Sequence, residues 1–598
     1  MIQIKNKVDC CGCQACGDIC PKDAISFKTD EEGIWYPEVN MATCIDCSLC
    51  EKVCPIINNS SCRNGNSQDP PTYILQYEGN AERFNSTSGC LYPLIAKHIL
   101  KKGGYIAGHV YDDNWGVKTL LSNRIEDIEQ LRNSKYCQSD AQGFYRSIKN
   151  LLLQGKLVLV SGCPCQIAGL KNYLHKDYEN LITIDFTCMG IDNPLAFRKY
   201  IEFLEDIYES KVKAFKSKSK EIGWRRLTNK VTFENGKTYY GINGIDPNLV
   251  ATFMDILVRP SCYDCSFRGK QRIADISIGD FWTPGSWNNY ENLDFSIDDN
   301  SGTSYMMLNN EKAETIFGEI RHLFKIKKID ADIIIKGNPH SIKPLPKPQF
   351  DREQFYQKMH VERFDKLVAE FNSNKRITLR NRLGTIKQIL IHNKYNFIGS
   401  IKCLYYNIFA NNIVSDFWRG DVLLFSKHTR LDISNDSKLF VKGKCIIRED
   451  RTPITIKLCE NSELHLNNNI FQGGFTTISC RNKSMVSIGF LTSIYGGTLI
   501  SSMESITIGD FCQLSRNVTI TDNNEMVLTT ADDHGLYKGI EIGTHCLLKH
   551  GTIIRKGCSI GDEVITKEYS IIESDVPART SVGYKNPSCD NILWKNNF

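Results

Sequence analysis

Eight cysteines near the N-terminus have the spacing that binds iron–sulfur clusters. They form two runs of the pattern C-x2-C-x2-C-x3-C-P: Cys10, Cys13, Cys16 and Cys20 before Pro21, and Cys44, Cys47, Cys50 and Cys54 before Pro55. Three thiolates this close together can bind three irons of one [4Fe–4S] cube, and the fourth cysteine reaches the other cube. The pattern therefore predicts two clusters, one on Cys10, Cys13, Cys16 and Cys54, the other on Cys44, Cys47, Cys50 and Cys20.

A pair of zinc knuckles is the alternative for these cysteines. Zinc takes four ligands in two pairs, whereas each run here is a triplet with a distant fourth cysteine before a proline. Cys11 and Cys62 fall outside the pattern and are predicted to be bystanders. Residues 1–60 contain five lysines and nine acidic residues, a net charge of −4, in a chain whose total is +5. We expect an acidic electron carrier docked on a more basic body.

The bulk composition places the chain among ordinary globular proteins. It has 598 residues, enough for three or four domains, with 41% hydrophobic and 24% charged residues. The net charge of +5 gives no sign of a nucleic-acid partner. No apolar run precedes the first cysteines, and no stretch reaches the length of a membrane span. Because the 25 cysteines lack an export signal, we expect metal ligands or free thiols in a cytoplasmic protein.

After the polar linker Asn58–Pro71, strand-like and helical patterns alternate as in an α/β domain. Strands are predicted at Thr72–Tyr77, Tyr105–Tyr111 and Leu157–Val160, and helices at Leu91–Lys101, from Ile167 to Leu174 and from Asp351 to Phe371. Ligands of such sheets bind at the carboxyl ends of the strands. Cys165 and Cys188 lie on turns after strands, and Cys262 and Cys265 form a C-x2-C pair, so these four thiols predict a third [4Fe–4S] cluster. Buried core cysteines and half of a zinc site remain the alternatives.

Six ordered motifs in residues 72–375 resemble the coenzyme F-420 hydrogenase/dehydrogenase beta-subunit family. They are STSGC (Ser86–Cys90), SKYCQSD (Ser134–Asp140), SGCPCQIAGLK (Ser161–Lys171), DFTCMG (Asp185–Gly190), RPSCYDCSF (Arg259–Phe267) and ADISIGDFW (Ala274–Trp282). The resemblance implies FAD and one [4Fe–4S] cluster. The flavin-contacting residues that it implies are Ser86, Ser88, Gly89, Lys135, Tyr136, Gln138 and Ser139. Cys163 stands where the family usually has Thr, and Cys90 where it usually has a second Gly.

A flavin would suit the predicted clusters, because clusters transfer one electron at a time and a flavin delivers two to an organic bond. The basic run Lys211–Lys230 is predicted to be a solvated edge. Attraction for a diphosphate-bearing substrate is the alternative for this run.

From about residue 420, apolar residues recur every six positions. Examples are Ile488, Ile494, Ile500 and Ile506, and again Ile542, Leu548, Ile554 and Ile560. This period predicts a three-sided, left-handed parallel β-helix with one apolar column inside. The segment 410–592 resembles the hexapeptide-repeat acetyltransferases of sugar and capsule pathways. The resemblance implies a homotrimer that binds acetyl-CoA between neighbouring prisms.

The catalytic base of that family has no direct counterpart here. The usual histidine would fall in the stretch Thr519–Glu525, which contains none, and Leu547 replaces a usual tryptophan. Glu525 could act as the base if burial raised its pKa, and His534 is the other candidate. An active transferase and an inactive one are both compatible with this pattern.

The sequence thus predicts a multidomain protein that combines α/β domains with an all-β domain. Its predicted parts are a two-cluster ferredoxin fold (1–60), the FAD-binding (72–150) and cluster-binding (151–375) parts of the central module, a helical adaptor (376–415) and the β-helix (416–598). One hypothesis is a flavin- and iron–sulfur-dependent oxidoreductase that takes electrons from ferredoxin or a reduced (deaza)flavin and acts on a sugar- or polyprenol-linked glycan precursor. The other is an electron-transfer subunit that the β-helix trimerises and that serves a partner enzyme. Contact of the adaptor with the inner membrane surface is a further alternative.

Overall fold

The computed structural model divides the chain into two compact units, Met1–Lys375 and Arg376–Phe598. It describes residues 1–59, 65–221, 224, 227–243, 246–282, 301–373, 386, 389–390, 397–408, 410, 412–415, 422–425, 428–448, 453–481, 483–523, 537–583 and 587–588. No helix within these ranges is long and apolar enough to cross a bilayer.

The first unit contains fourteen strands and thirteen α-helices in its described part. The strands are β1 Ile25–Thr29, β2 Trp35–Val39, β3 Thr72–Tyr77, β4 Tyr105–Tyr111, β5 Val117–Ser122, β6 Ser139–Asp140, β7 Val158–Ser161, β8 Leu181–Phe186, β9 Val212–Lys216, β10 Thr228–Phe233, β11 Thr238–Ile242, β12 Ile276–Asp280, β13 Ser304–Leu308 and β14 Phe324–Ile329. The helices are α1 Ala15–Asp18, α2 Leu49–Val53, α3 Asn80–Asn85, α4 Leu91–Lys101, α5 Ile128–Leu131, α6 Phe144–Leu153, α7 Pro164–Leu174, α8 Pro194–Tyr208, α9 Pro247–Phe253, α10 Glu311–Ile320, α11 Ala331–Gly337, α12 Arg352–Met359 and α13 Phe364–Ser373. Short 3-10 helices occupy Lys7–Asp9, Pro260–Asp264, Arg321–Leu323 and Pro339–Ser341.

The N-terminal module has two matching halves, each made of a cysteine loop and a short helix. Helices α1 and α2 begin directly after Gln14 and Ser48, whose φ angles of 65° and 56° are left-handed. The two left-handed residues let each cysteine loop turn back on itself before its helix starts. Strands β1 and β2 form an antiparallel hairpin beside them.

The centre of the first unit is a mixed sheet with the strand order β14-β3-β13-β12-β8-β7-β4-β5-β6. Strands β4, β7, β8 and β12 lie side by side and run parallel. Because parallel strands end at the same edge of a sheet, the turns after these four strands meet there. The apolar run Val158–Val160 of β7 is fully buried, as a central strand requires. The stretch predicted as one helix from Asp351 to Phe371 is instead two helices, since the chain turns at His360 and exposes Val361.

The second unit is a parallel β-coil preceded by helix α14, Phe397–Ile408. Its strands are β15 Ile413–Val414, β16 Val422–Leu424, β17 Arg430–Ile433, β18 Lys438–Lys442, β19 Lys444–Arg448, β20 Thr455–Leu458, β21 Glu463–Asn467, β22 Ile470–Gln472, β23 Thr477–Cys480, β24 Met485–Ile488, β25 Ser493–Tyr495, β26 Leu499–Ser502, β27 Ser505–Ile508, β28 Gln513–Leu514, β29 Thr519–Thr521, β30 Ile540–Ile542, β31 Leu547–Leu548, β32 Ile553–Ile554, β33 Ser559–Ile560, β34 Ile565–Thr566, β35 Ile571–Ile572, β36 Ser581–Val582 and β37 Pro587–Ser588. They form three sheets of seven, nine and seven strands in the described residues.

The six-residue period produces three apolar columns inside this coil. In one column Ile500 pairs with Ile520, and Ile520 pairs with Ile554 in the next turn. All three side chains are fully buried. Each turn of the coil therefore extends one continuous core. The left hand of the coil stays a prediction.

Candidate redox site

Four of the predicted cluster ligands surround a small cavity at the surface of the N-terminal module. These residues are Cys20, Cys44, Cys47 and Cys50. Backbone amides point at three of the sulfurs: Ile2 N lies 3.2 Å from Cys50 Sγ, Ala24 N 3.3 Å from Cys20 Sγ, and Asp46 N 3.4 Å from Cys44 Sγ. Cys47 is exposed, so this site, called the surface site below, can be reached from solvent.

The other four cysteines of the double motif lie inside the unit and are called the inner site. They are Cys10, Cys13, Cys16 and Cys54. Burial, and then the neighbouring thiols Cys10 and Cys54, raise the pKa of Cys16 well above its ordinary value. Burial also raises the pKa of Cys54, to about 11. Thiols this close and this buried cannot all ionise without a compensating cation, and metal binding supplies that positive charge.

The four thiols predicted for a third cluster also surround one small cavity, called the third site. They are Cys165, Cys188, Cys262 and Cys265. Cys165 is in the first turn of α7, directly after β7, and Cys188 follows β8. Since β7 and β8 are parallel neighbours, both cysteines reach the same edge of the sheet. Arg268 and Arg272 line the same cavity and place positive charge beside the thiols.

Among the described residues, no three His, Cys, Asp or Glu side chains are grouped closely enough to ligate one metal ion. A single zinc ion would need its sulfur ligands at about 2.3 Å from the metal. A four-iron cube spreads its four sulfur ligands over its corners instead.

A cavity of about 210 Å³ lies at the carboxyl ends of β8 and β12, beside the third site. Six of the seven residues that the family resemblance implied for flavin binding line it: Ser86, Ser88, Lys135, Tyr136, Gln138 and Ser139. Gly89 is absent from the described lining. Its missing Cβ makes room elsewhere, because a Cβ there would lie 2.4 Å from the Leu75 carbonyl oxygen. Gly89 thus packs the loop closely against β3, and its contact with a flavin stays a prediction.

Cys188 and Ile191 line both this larger cavity and the third site. The two spaces therefore share a wall. Cys163 also lines the larger cavity, and its Sγ lies 4.0 Å from the Cys188 Sγ. Cys163 is thus next to a predicted ligand, on the side that faces the cavity.

Three buried polar atoms of the cavity wall lack a hydrogen-bond partner in the described structure. They are Tyr92 Oη and both ring nitrogens of His109. Gln166 interacts weakly with the His109 ring and Ser161 with the Tyr92 hydroxyl, but Gln166 is also engaged elsewhere, since it donates to Ser139 Oγ and accepts from Cys163 N. Burial lowers the pKa of His109 to about 4, so its ring is neutral near pH 7. Unpartnered buried polar atoms are costly, and a polar ring ligand such as a flavin would satisfy them.

Buried lysines shape the walls of this cavity, contrary to the prediction of a solvated edge for Lys211–Lys230. Lys211 is exposed, but Lys220 is only 5% exposed and donates to the carbonyl oxygens of Arg83 and Ser88, both at 2.6 Å. Lys218 forms a 2.6 Å ion pair with Asp280 on the cavity wall. The edge prediction was wrong for these two lysines because the run folds back over the Ser86–Cys90 loop.

Lys135 lines the cavity and also stabilises the backbone of the loop that carries it. Its ammonium donates to the carbonyl oxygens of Arg132 and Asn133, at 2.8 and 3.3 Å. Burial lowers the pKa of Lys135 to about 7. This lysine therefore fixes the turn that carries the Ser134–Asp140 motif, and it supplies at most part of a positive charge at neutral pH.

The N-terminal module docks with its inner site against the third site. The Cys11 thiol contacts both Cys13 and Cys165 at this interface. That Cys11 is not itself a ligand stays a prediction, and Cys62 lies outside the described residues. Helix α7 approaches so closely that a Cβ on Gly169 would lie 3.1 Å from the Cys13 Sγ. The two predicted ligand sets are therefore neighbours.

In the second unit, the stretch Thr519–Glu525, where related transferases usually have the catalytic histidine, is described up to Asn523. Asp522 is fully buried, and its carboxylate accepts hydrogen bonds from Met503 N, Glu504 N and Ser502 Oγ at 2.7 to 2.9 Å. This carboxylate holds a corner of the coil and is not a free base. Glu525 and His534 lie outside the described residues.

Sequence reasoning missed several residues of the site. His109 lies in the apolar stretch of strand β4 and Tyr92 in helix α4, and neither belongs to a motif. The sequence does offer one indication of His109, namely a histidine within the largely apolar run Tyr105–Tyr111. Arg259 stands out in the sequence only as part of a motif, although its side chain reaches the cysteine loop of the inner site.

Two family models match the first unit. Residues 155–332 match the model for the C terminus of the beta subunit of coenzyme F420 hydrogenase/dehydrogenase, and residues 9–57 match that of a 4Fe-4S dicluster domain. The first unit therefore contains a segment similar to a 4Fe-4S dicluster domain, followed by a segment similar to the C terminus of this hydrogenase/dehydrogenase beta subunit.

Solved structures show weaker likenesses. The F420-reducing [NiFe] hydrogenase complex from Methanosarcina barkeri includes a chain 15% identical to this one, with a TM-score of 0.30, over 56% of this chain and 96% of that one. A polysialic acid O-acetyltransferase is 18% identical, with a TM-score of 0.22, over 29% and 89% of the two chains. A maltose O-acetyltransferase from Clostridium difficile 630 is 15% identical, with a TM-score of 0.13, over 37% and 89%. No curated protein matches the chain significantly.

Proposed function

We propose that the first unit is an iron–sulfur flavoprotein oxidoreductase with three [4Fe–4S] clusters and FAD. Electrons enter at the surface site, pass through the inner and third sites, and reach the cavity beside Cys188. FAD, when bound there, supplies the conversion of single electrons into the pair that an organic substrate requires.

The wall that the cavity shares with the third site carries this proposal. A ligand in the cavity would lie directly behind Cys188, a predicted cluster ligand. The competing hypothesis, an electron-transfer subunit for another enzyme, would need no cavity next to its last cluster. The presence of the cavity favours an enzyme.

The chain's own residues give the cavity its selectivity for a flavin-like ligand. Lys220 holds the Ser86–Cys90 loop and Lys135 holds the turn before Tyr136, so both segments keep their shape before a ligand arrives. His109 and Tyr92 have buried polar atoms without a hydrogen bond of good geometry, and these atoms could bind to the ring system of such a ligand. The Lys218–Asp280 pair keeps a balanced charge at the wall.

The surface site is the place where an electron donor would dock. Cys47 is exposed there, and the exposed apolar residues Met41 and Ile45 lie beside it in the sequence, with Asp46 adjoining. An apolar patch with an acidic neighbour fits a donor with a basic rim, such as a small ferredoxin with positive charge at its docking face or a deazaflavin-linked protein. This unit therefore takes single electrons from a redox partner.

The second unit is proposed to act as an acetyltransferase-like trimer on the same class of substrate, a sugar- or polyprenol-linked glycan precursor. The regular parallel coil with its buried isoleucine columns supports a stable prism, and trimerisation would cover its sides. Because Asp522 is structural, acetyl transfer from acetyl-CoA would depend on His534 or Glu525. Light scattering of the full chain should give a trimer. Acetyl transfer that survives both His534→Ala and Glu525→Ala would show that the base lies elsewhere.

The flavin proposal is tested by anaerobic titration of the iron-loaded chain with FAD, FMN and coenzyme F420 in parallel. We expect tight, non-covalent binding of FAD and a protein-bound flavin spectrum. Lack of flavin binding under these conditions would leave the electron-transfer subunit as the better explanation.

A further inference from the structure

Arg259 is a buried cation that has no carboxylate partner among the described residues. Its side chain is 1% exposed, and the groups that act on its charge are Tyr36 and three cysteines, Cys10, Cys11 and Cys262. Two other arginines in the interior of this unit do have a carboxylate partner: Arg272 lies 3.0 Å from Asp185, and Arg352 lies 2.8 Å from Glu32. An unpaired buried charge is strongly unfavourable. Arg259 therefore needs a negative charge nearby that no described carboxylate supplies.

The hydrogen bonds of Arg259 fix where its charge lies. Its Nε donates to the Cys10 carbonyl oxygen at 3.0 Å, and its two terminal nitrogens reach the Trp35 carbonyl oxygen at 3.4 Å. The guanidinium also lies over the Tyr36 ring, 4.7 Å from its centroid. These acceptors are neutral, and they hold the guanidinium against the cysteine loop of the inner site.

The backbone of Arg259 belongs to the third site. Its carbonyl oxygen accepts a hydrogen bond from Cys262 N at 2.9 Å, and its own N–H donates to the Ile191 carbonyl oxygen at 2.8 Å. The side chain crosses from there to the inner site, where a Cβ on Gly12 would lie 2.6 Å from Nη1. A glycine at position 12 is thus required for the guanidinium to fit. One positive charge is therefore placed between two sets of predicted cluster ligands.

We propose that Arg259 is the shared counter-charge of the inner and third clusters and that it raises the reduction potential of both. This inference rests on the proposed function, since it assumes that both sites hold clusters. Reduction adds one negative charge to a cluster, and a cation held nearby in a water-poor interior favours the reduced form. The surface site lies in the other half of the N-terminal module, and none of its four thiols is among the groups that act most strongly on the Arg259 charge. Its potential should therefore respond little.

The test is an anaerobic redox titration of the iron-loaded full-length chain, followed by electron paramagnetic resonance, with iron analysis of every sample. In Arg259→Met, two of the three midpoint potentials should fall by at least about 59 mV. For a one-electron couple, this corresponds to a tenfold change in the oxidised-to-reduced ratio. The third potential should stay unchanged. Arg259→Lys, which keeps the charge, should retain at least half of the wild-type effect. The double variant Glu32→Gln/Arg352→Met removes a paired arginine of the same docking interface and should leave all three potentials unchanged.

Three results would overturn the inference. These are unchanged potentials in Arg259→Met, an equal shift of all three potentials, and an Arg259→Lys variant that behaves like Arg259→Met. If Arg259→Met does not assemble its clusters, the test rests on Arg259→Lys alone. A fall of midpoint potential in that variant that corresponds to a tenfold or larger change in the oxidised-to-reduced ratio would then contradict a charge effect. A chain that titrates with only two centres removes the third cluster and the inference with it. The titration needs no flavin, so failure of FAD binding would refute the proposed function separately.

Discussion

Replacing His109 by phenylalanine should change the free protein and the flavin complex in opposite directions. The His109 ring lies in the cavity wall with both nitrogens buried and without a hydrogen bond of good geometry, its one polar neighbour being the Gln166 side chain. Its pKa of about 4, lowered by burial, keeps it neutral near pH 7, so the substitution removes polar atoms but no charge. Phenylalanine has a similar flat shape and leaves the apolar contacts of strand β4 largely in place.

The magnitude follows from the cost of unsatisfied polar groups. Each buried group without a hydrogen bond costs about 1–3 kcal/mol. The ligand-free wild-type protein is destabilised by these buried polar atoms until a ligand binds, whereas His109→Phe lacks them in both states. The ligand-free variant should therefore be more stable by about 1–2 kcal/mol. Its FAD affinity should fall by about 1–3 kcal/mol, which corresponds to roughly 5- to 150-fold in Kd.

Two measurements check this prediction: urea unfolding of the flavin-free chain and anaerobic FAD titration by flavin fluorescence. His98→Gln is the matched control, because His98 lies on helix α4 next to Glu319, at 2.7 Å, and away from the cavity. The control should bind FAD normally. Unchanged FAD affinity in His109→Phe, or a lower stability of the ligand-free variant, would show that the ring nitrogens of His109 do not form hydrogen bonds with bound FAD.

Further predictions concern the clusters, the loop, acid stability and the coil. Cys262→Ser/Cys265→Ser should lose about four of about twelve irons, while Cys163→Ser should keep them all, as iron analysis will show. Cys90 has a left-handed φ of 73°, so Cys90→Gly should be more stable than Cys90→Ala by about 1 kcal/mol in denaturant unfolding; the usual order, with alanine more stable, would contradict the backbone conformation. Because the folded-state pKa of His109 is about 4, below the unfolded value of about 6.5, acid protonates the unfolded chain first. Wild-type stability should thus fall about 2 kcal/mol more than that of His109→Phe between about pH 7.5 and about pH 5, and parallel curves would contradict this. Ile500→Ala in the fully buried column should destabilise the coil by about 2–4 kcal/mol without changing the iron content, and loss of iron would count against two independent units.

Much of the fold could be predicted because local patterns matched their surroundings. The strands Thr72–Tyr77 and Tyr105–Tyr111 and the helix Leu91–Lys101 have the predicted bounds, since each is an apolar run bounded by turn residues. The six-residue period predicts the coil directly, because apolar residues six positions apart fall at successive corners of a three-sided coil.

The failures come from long-range packing. Nothing local in Lys211–Lys230 shows that Lys220 turns inward to bind the Ser88 carbonyl oxygen. The contact between Cys11 and Cys165 could not be expected either, because the two thiols are far apart in the sequence. Likewise, Arg259 and Cys10 are separated by 249 positions, and only the docking of the N-terminal module brings them together. Contacts of this kind depend on the tertiary arrangement and leave no periodic trace in the sequence.

The most direct test of the central claim is the rate at which bound flavin is reduced through the clusters. The iron-loaded, FAD-bound chain would be mixed anaerobically with a reduced ferredoxin in a stopped-flow instrument, and flavin absorbance would be followed in wild type and in Cys262→Ser/Cys265→Ser. We expect rapid flavin bleaching in wild type and at least a roughly hundredfold slower reaction in the variant, which still binds FAD because the cavity wall at Cys188 is intact. Equal rates in the two proteins would show that electrons do not pass through the third site and would contradict the proposed path.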